Sequence, residues 1–148
     1  MFTVRNLLQI KGDTGVWAVS PETSTIDALR FMAEKNVGAL VVLEDGILAG
    51  IISERDFVRS IARNRSCDLG ATVQDYMTSK VITVTLDASI DDCMKLMVGK
   101  HIRHLPVYEG DKLHGLISIG DVVKGIIDEQ LMTIDNLEKY ISGSGYGQ

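Results

Sequence analysis

Apolar runs of strand length and apolar stripes of helical spacing follow one another along the chain, and the same succession occurs twice. Val16–Val19 and Val81–Thr85 predict two short strands. Each leads through a turn into an amphipathic helix. The first helix is expected to bury Ala28, Leu29, Met32 and Ala33, and the second Cys93, Met94, Leu96 and Met97, at i, i+3, i+4 spacing. Ser24 and Ser89 stand where caps are needed, with Asp27 and Asp92 three residues on as in a capping box. Paired strands follow: Ala39–Leu43 with Ile47–Ile52, then His104–Tyr108 with Leu113–Ile117. Glu44-Asp45-Gly46 and Glu109-Gly110-Asp111 join them, and a glycine that accepts positive φ between β-branched runs is a hairpin signal. A second helix opens at Ser53 and again at Ser118.

The two successions are in register. A constant shift of 65 residues lays Met32 on Met97, Leu40 on Leu105, Gly50 on Gly115, Ser53 on Ser118 and Asp56 on Asp121, with no gap. An internal repeat organises the chain as two β-α-β-β-α copies, a mixed α/β (α+β) class. Each copy has an apolar sheet face it cannot cover alone, so the copies are expected to pack on one another.

The expected divisions are an N-terminal segment 1–15, repeat one 16–64, a linker 65–80, repeat two 81–127, and a C-terminal helix with a flexible tail 128–148. Val4, Leu7 and Leu8 suggest a short docking helix, and the linker holds a helical patch near Val73–Met77. Ile127, Leu131, Ile134, Leu137 and Ile141 recur at helical spacing before a Gly/Ser-rich end expected to be disordered.

With 148 residues and 45% hydrophobic content there is ample material for a core. The net charge of −5 argues against nucleic acid or anionic membrane as a partner. No run is long enough to span a membrane, and no signal-peptide pattern is visible, so a cytoplasmic protein is expected. Cys67 and Cys93 read as an exposed linker thiol and a core thiol. His101 and His104 with Cys93 do not make a convincing zinc set, because Cys93 lies on an apolar helix face, and metal: none is the expectation. No Walker loop, dinucleotide fingerprint or nucleophile elbow occurs, so enzyme activity is not expected.

The candidate chemistry lies in Gly50-Ile-Ile-Ser53-Glu-Arg-Asp56 and Gly115-Leu-Ile-Ser118-Ile-Gly-Asp121, where a strand ends and a helix begins. Two readings fit. A serine cap leaves backbone N–H groups at a positive helix end for an anion, and the aspartate accepts from a vicinal diol such as ribose. Alternatively, Ser and Asp simply form a capping box.

These segments, with His104-Leu-Pro-Val107 and the linker Val73-Gln-Asp-Tyr-Met-Thr78, resemble the CBS-domain pair, or Bateman module, over about Val16 to Ile127. The apolar tail looks like that of stand-alone bacterial members. The resemblance implies tandem repeats related by pseudo-two-fold symmetry and an adenosine-nucleotide-binding, energy-sensing regulatory function. The ligand would be AMP, ADP, ATP or NAD, with no cofactor required. It would lie in the cleft between repeats and signal by conformational change to an unidentified protein partner. A homodimer is also implied.

Carried over residue by residue, repeat two offers Asp121 for ribose, Ser118 for phosphate, Val81, Ile82 and Thr83 beside adenine, and the His104–Pro106 backbone. Arg103 and His104 would face phosphates. Repeat one offers Asp56, Ser53, Val16, Trp17 and Ala18, with Gly38 and Ala39 opposite, and Val41 stands where repeat two has Pro106. Arg55 reads either as a phosphate contact or as a solvated charge. Trp17 reads either as a stacking platform or as a core-rim aromatic. The rival to the sensor is a structural dimerisation scaffold that binds no nucleotide.

Overall fold

The computed structural model describes residues 1–12 and 15–144. In order, the elements are α1 Val4–Lys11, β1 Ala18–Val19, α2 Thr25–Lys35, β2 Ala39–Glu44, β3 Ile47–Ser53, α3 Glu54–Asn64, α4 Val73–Tyr76, β4 Val84–Thr85, α5 Ile90–Lys100, β5 His104–Glu109, β6 Lys112–Ser118 and α6 Ile119–Lys139, then a π-helical turn Tyr140–Ser144. Serine or threonine precedes each of these six α-helices, namely Thr3, Ser24, Ser53, Thr72, Ser89 and Ser118. At Thr3, Ser24, Ser89 and Ser118 the hydroxyl accepts from a first-turn N–H group that has no partner within the helix, whereas the Ser53 and Thr72 hydroxyls donate to the aspartate three residues on.

The two repeats form two three-stranded sheets, ordered β1-β2-β3 and β4-β5-β6, each with one parallel and one antiparallel pairing. The central strand is buried from Ala39 to Val42 and from Leu105 to Val107, as expected where a strand is paired on both edges and covered on both faces. The first hairpin turns on Asp45 and Gly46, both at positive φ. In the second, only Gly110 is at positive φ. Asn36 and His101 end α2 and α5 in the left-handed conformation, 65 residues apart.

Several details differ from the sequence reading. The first strand of each repeat starts later, at Ala18 and Val84. In repeat one the Val41 N–H reaches the Trp17 carbonyl at 3.3 Å, a rung that Pro106 cannot supply in repeat two because it has no N–H. Ser24 and Ser89 accept from the Asp27 and Asp92 N–H groups, but neither aspartate returns a bond to its cap, so these are caps and not boxes. Ala33 is exposed, because α2 turns Ala28 and Met32 inward and the stripe is narrower than the spacing suggested. The C-terminal helix is not separate, since α6 runs without a break through residue 139. Ser142 to Ser144 continue in the helical turn, and the rest of the expected disordered tail lies outside the described residues.

The chain divides into two compact units, Gly15–Ile82 and a second that joins the N-terminal segment to Thr83 and everything beyond. In the first, Ala28, Met32, Leu40, Val42, Ile52, Phe57 and Val73 form a continuous core. In the second, Val4, Leu7, Leu86, Ile90, Cys93, Met97, Leu105, Val107, Ile117 and Val122 are buried.

The two units are completed in the same way by short helices. In the first, α4 of the linker docks through Val73 N–H to Thr23 O at 2.8 Å and Gln74 N–H to Pro21 O at 3.1 Å, while Thr25 N–H reaches Ala71 O at 2.8 Å. In the second, α1 makes the matching bonds: Val4 N–H to Ala88 O and Arg5 N–H to Leu86 O at 2.9 Å, and Ile90 N–H to Phe2 O at 3.1 Å. The N-terminal helix therefore belongs with repeat two. Glycines permit both close approaches: a Cβ on Gly50 would lie 2.7 Å from the Thr78 carbonyl, and one on Gly115 would lie 3.0 Å from a Leu8 methyl.

Candidate functional site

In each repeat the Ser-x-x-Asp segment stands where the outer hairpin strand passes into a helix. Strand register places Ser53 opposite Ala39 and Ser118 opposite His104. The carbonyl before the central strand then caps the helix: Glu54 N–H donates to Gly38 O at 3.0 Å, and Ile119 N–H to Arg103 O at 2.8 Å. In repeat two the Asp121 N–H donates to Ser118 Oγ at 3.1 Å. Two of the first three N–H groups of α6 are thus already bonded, so the free helix end expected from the serine cap is largely occupied.

The aspartates are positioned through one oxygen each. Asp56 Oδ2 accepts the Ser53 N–H at 2.8 Å and the Ser53 hydroxyl at 3.1 Å. Asp121 Oδ2 accepts the Ser118 N–H at 2.9 Å. Among the described residues, Oδ1 of either aspartate accepts no hydrogen bond. Both carboxylates are therefore oriented by a backbone donor while keeping one oxygen for an outside partner.

Repeat two has an additional contact. Lys11, the last residue of α1, donates from Nζ to Asp121 Oδ2 and to the Leu116 carbonyl, each at 3.0 Å. Burial pushes the Asp121 carboxyl up, but the Ser118 N–H and the Lys11 ammonium outweigh it and hold the group below its ordinary value. His104 lies in the same field. Burial lowers its imidazole below the ordinary histidine value; Asp121 opposes this, and Lys11 and Arg103 add to it.

The sequence reading did not single out Lys11. A detectable signal was present: Thr3-Val-Arg-Asn-Leu-Leu8 parallels Thr72-Val-Gln-Asp-Tyr-Met77 at a shift of 69, which marks α1 as a counterpart of α4. A pocket of about 230 Å³ borders the Lys11–Asp121 pair, with Lys124 and Asp128 also on its wall.

The remaining site candidates are distributed as follows. Arg103 is exposed and Pro106 is buried in β5. Thr83 falls in the unit containing Asp121, whereas Val81 and Ile82 fall in the unit built on repeat one, and none of the three is in a strand. Val16 and Ala18 are half-buried. Trp17 is 37% exposed, meets Phe31 edge-on at 5.9 Å and carries the Lys35 ammonium 4.5 Å above its ring. Arg55 is half-buried at the start of α3 and forms no ion pair among the described residues. His101 serves as the α5 cap. No group of three His, Cys, Asp or Glu side chains converges among the described residues.

The CBS-domain profile matches residues 9–63 and 73–128. The chain belongs to the CBS-domain family. Among curated relatives, the mitochondrial CBS domain-containing protein CBSX3 of Arabidopsis thaliana is 37% identical across 97% of this chain and 73% of its own length. Among solved structures, a CBS-domain containing protein of Agrobacterium tumefaciens is 38% identical with a TM-score of 0.80, covering 84% of this chain and 98% of that one. The structure of CBSX2 in complex with AMP is 26% identical with a TM-score of 0.70, covering 86% and 98% respectively. The two sheets and their helices are thus tandem CBS repeats, and the Ser-x-x-Asp turns are the corresponding segments of each.

Proposed function

We propose that this CBS-domain protein is a regulatory module that binds an adenosine nucleotide, AMP first, at the Ser-x-x-Asp turns of its repeats. The observation that carries the reading is the half-used carboxylate. Asp56 and Asp121 are each fixed through Oδ2 at the start of a helix, and Oδ1 remains an unengaged acceptor. An oriented, charged acceptor suits the vicinal hydroxyls of a ribose, and the AMP complex of the related CBSX2 supports adenine as the base. Ser118, Arg103 and His104 would serve the phosphate side in repeat two, with Thr83 and Pro106 toward the base. Ser53 and Arg55 would do so in repeat one, beside Trp17 and Ala18. ADP, ATP and NAD share the same ribose and adenine and are included in the reading.

The second reading, a scaffold whose turns only cap helices, is favoured by the complete Ser118–Asp121 capping box. Asp→Asn separates the two, because the amide oxygen keeps the cap while the charge is lost. Asp121→Asn and Asp56→Asn, titrated with AMP by calorimetry, should each weaken their own repeat by about tenfold to a hundredfold, since a hydrogen bond to a charged group contributes about 1.5–3 kcal/mol. No AMP binding by the wild-type protein at millimolar concentration would leave the scaffold.

The reading includes a homodimer, a reducing compartment such as the cytoplasm, and a ligand-dependent change of conformation sensed by a partner protein. Ile127, Leu131, Ile134, Leu137 and Ile141 are each about half-exposed or more along α6 and the turn beyond it. A row at this spacing can meet itself across a two-fold axis in a second copy of the chain. Light scattering should return twice the chain mass, and the chain mass for Leu131→Glu. A monomeric wild type would remove the dimer from the reading.

A further inference from the structure

Repeats that share the glycine, serine and aspartate of the turn differ in what holds their aspartates. In repeat one the second bond to Asp56 Oδ2 comes from the Ser53 hydroxyl, which is neutral and rotates freely. In repeat two the second bond to Asp121 Oδ2 comes from the Lys11 ammonium. Lys11 is delivered by an element anchored elsewhere: Val4 and Leu7 are buried, Phe2 N–H donates to the Glu129 carboxylate of α6, and Leu8 packs over Gly115. The Lys11 backbone is thus positioned by an anchored helix. Its pairing is only partly shielded, with side-chain exposures of 34% for Lys11 and 27% for Asp121.

A ribose diol is bound most strongly when both hydroxyls donate to one carboxylate, one to each oxygen. At Asp56 this requires only that a hydroxyl turn aside. At Asp121 it requires that an ammonium leave, and while the ammonium remains it withdraws charge from both oxygens. Asp128 lines the same pocket and offers a second carboxylate to Lys11 once it is displaced.

We propose that Lys11 sets the ligand affinity of repeat two by occupying the Asp121 carboxylate in competition with the ribose hydroxyls, so that repeat two binds more weakly than repeat one and frees Lys11 on binding. The inference rests on the nucleotide reading above. It makes the two sites unequal by a residue that lies in neither motif. By linkage, the pairing energy that the ligand must overcome to displace Lys11 is the energy lost from the last turn of α1, so binding at repeat two is reported at the N-terminal segment.

The test uses the full chain carrying Asp56→Asn, which isolates repeat two, titrated with AMP and separately with adenosine. Lys11→Met in this background should raise affinity for both compounds by about two- to fivefold, the upper range of a partly exposed ion pair. Lys11→Arg, which keeps the charge, should stay near the starting value and covers the case in which Lys11→Met folds poorly. Amide exchange at Ile10–Gly12 should quicken when AMP is added to the lysine form. An unchanged affinity in Lys11→Met overturns the proposal and leaves the nucleotide reading in place. A loss confined to AMP also overturns it, by making Lys11 a phosphate contact. Failure of every form to bind either compound removes both.

Discussion

Leu105→Ala and Leu40→Ala should each lower the unfolding free energy by about 2–5 kcal/mol, the usual cost of truncating a buried leucine in a core that cannot collapse around the gap. The two residues occupy the same position, 65 apart, in the central strand of each sheet, and both are 0% exposed. Leu40 is held in one cluster with Met32, Ile52, Phe57 and Val73, so its removal leaves a void among side chains from α2, α3, the neighbouring strand β3 and the linker helix. Leu105 is fully buried, as are Met97 and Ile117 at the positions corresponding to Met32 and Ile52. Against a typical total stability of about 5–15 kcal/mol, either change is a large fraction, and the double variant should be mostly unfolded at 37 °C. Urea unfolding of the three variants beside the wild type checks this. A cost below about 1 kcal/mol at either position would mean that its strand is not the centre of its unit.

Replacing Val4 and Leu7 together by alanine should cost about 3 kcal/mol or more, although both lie in an N-terminal segment that looks dispensable. Val4 is 0% and Leu7 4% exposed, and Leu7 lies against Gly125 of α6 beside Ile90. The helix they belong to closes the apolar side of repeat two, and three backbone bonds tie it to the loop before α5. The loss should appear as a lower melting temperature and as faster amide exchange in α5 and β5. An exposed ornament would cost no more than about 0.5 kcal/mol, and a result in that range would detach α1 from the fold.

How far the sequence alone reached can be read from particular residues. The 65-residue shift was visible because repeated packing demands repeated apolar positions, and it located both sheets, both hairpins and both Ser-x-x-Asp turns before any coordinates. Strand starts were less legible: Trp17 and Ile82 sit at matching positions, yet the absence of an N–H on Pro106 matters only once Val41 is seen to bond across the sheet. Ala33 looked like part of the buried stripe because spacing cannot give its width.

The candidate site divides in the same way. Ser53, Asp56, Ser118 and Asp121 were found from chain order alone, since a cap and the residue three positions later are brought together by one turn of helix. The order of residues therefore determined the class of fold, the family it resembles and the carboxylates on which the proposed function rests. Lys11 and Asp121 are 110 residues apart, and no local rule joins them. Only tertiary structure decided that α1 docks on repeat two while α4 docks on repeat one, because the two short helices are alike in sequence and the choice depends on the complete packing. That choice carried an ammonium to one aspartate and none to the other, which makes two repeats of like sequence unlike in charge.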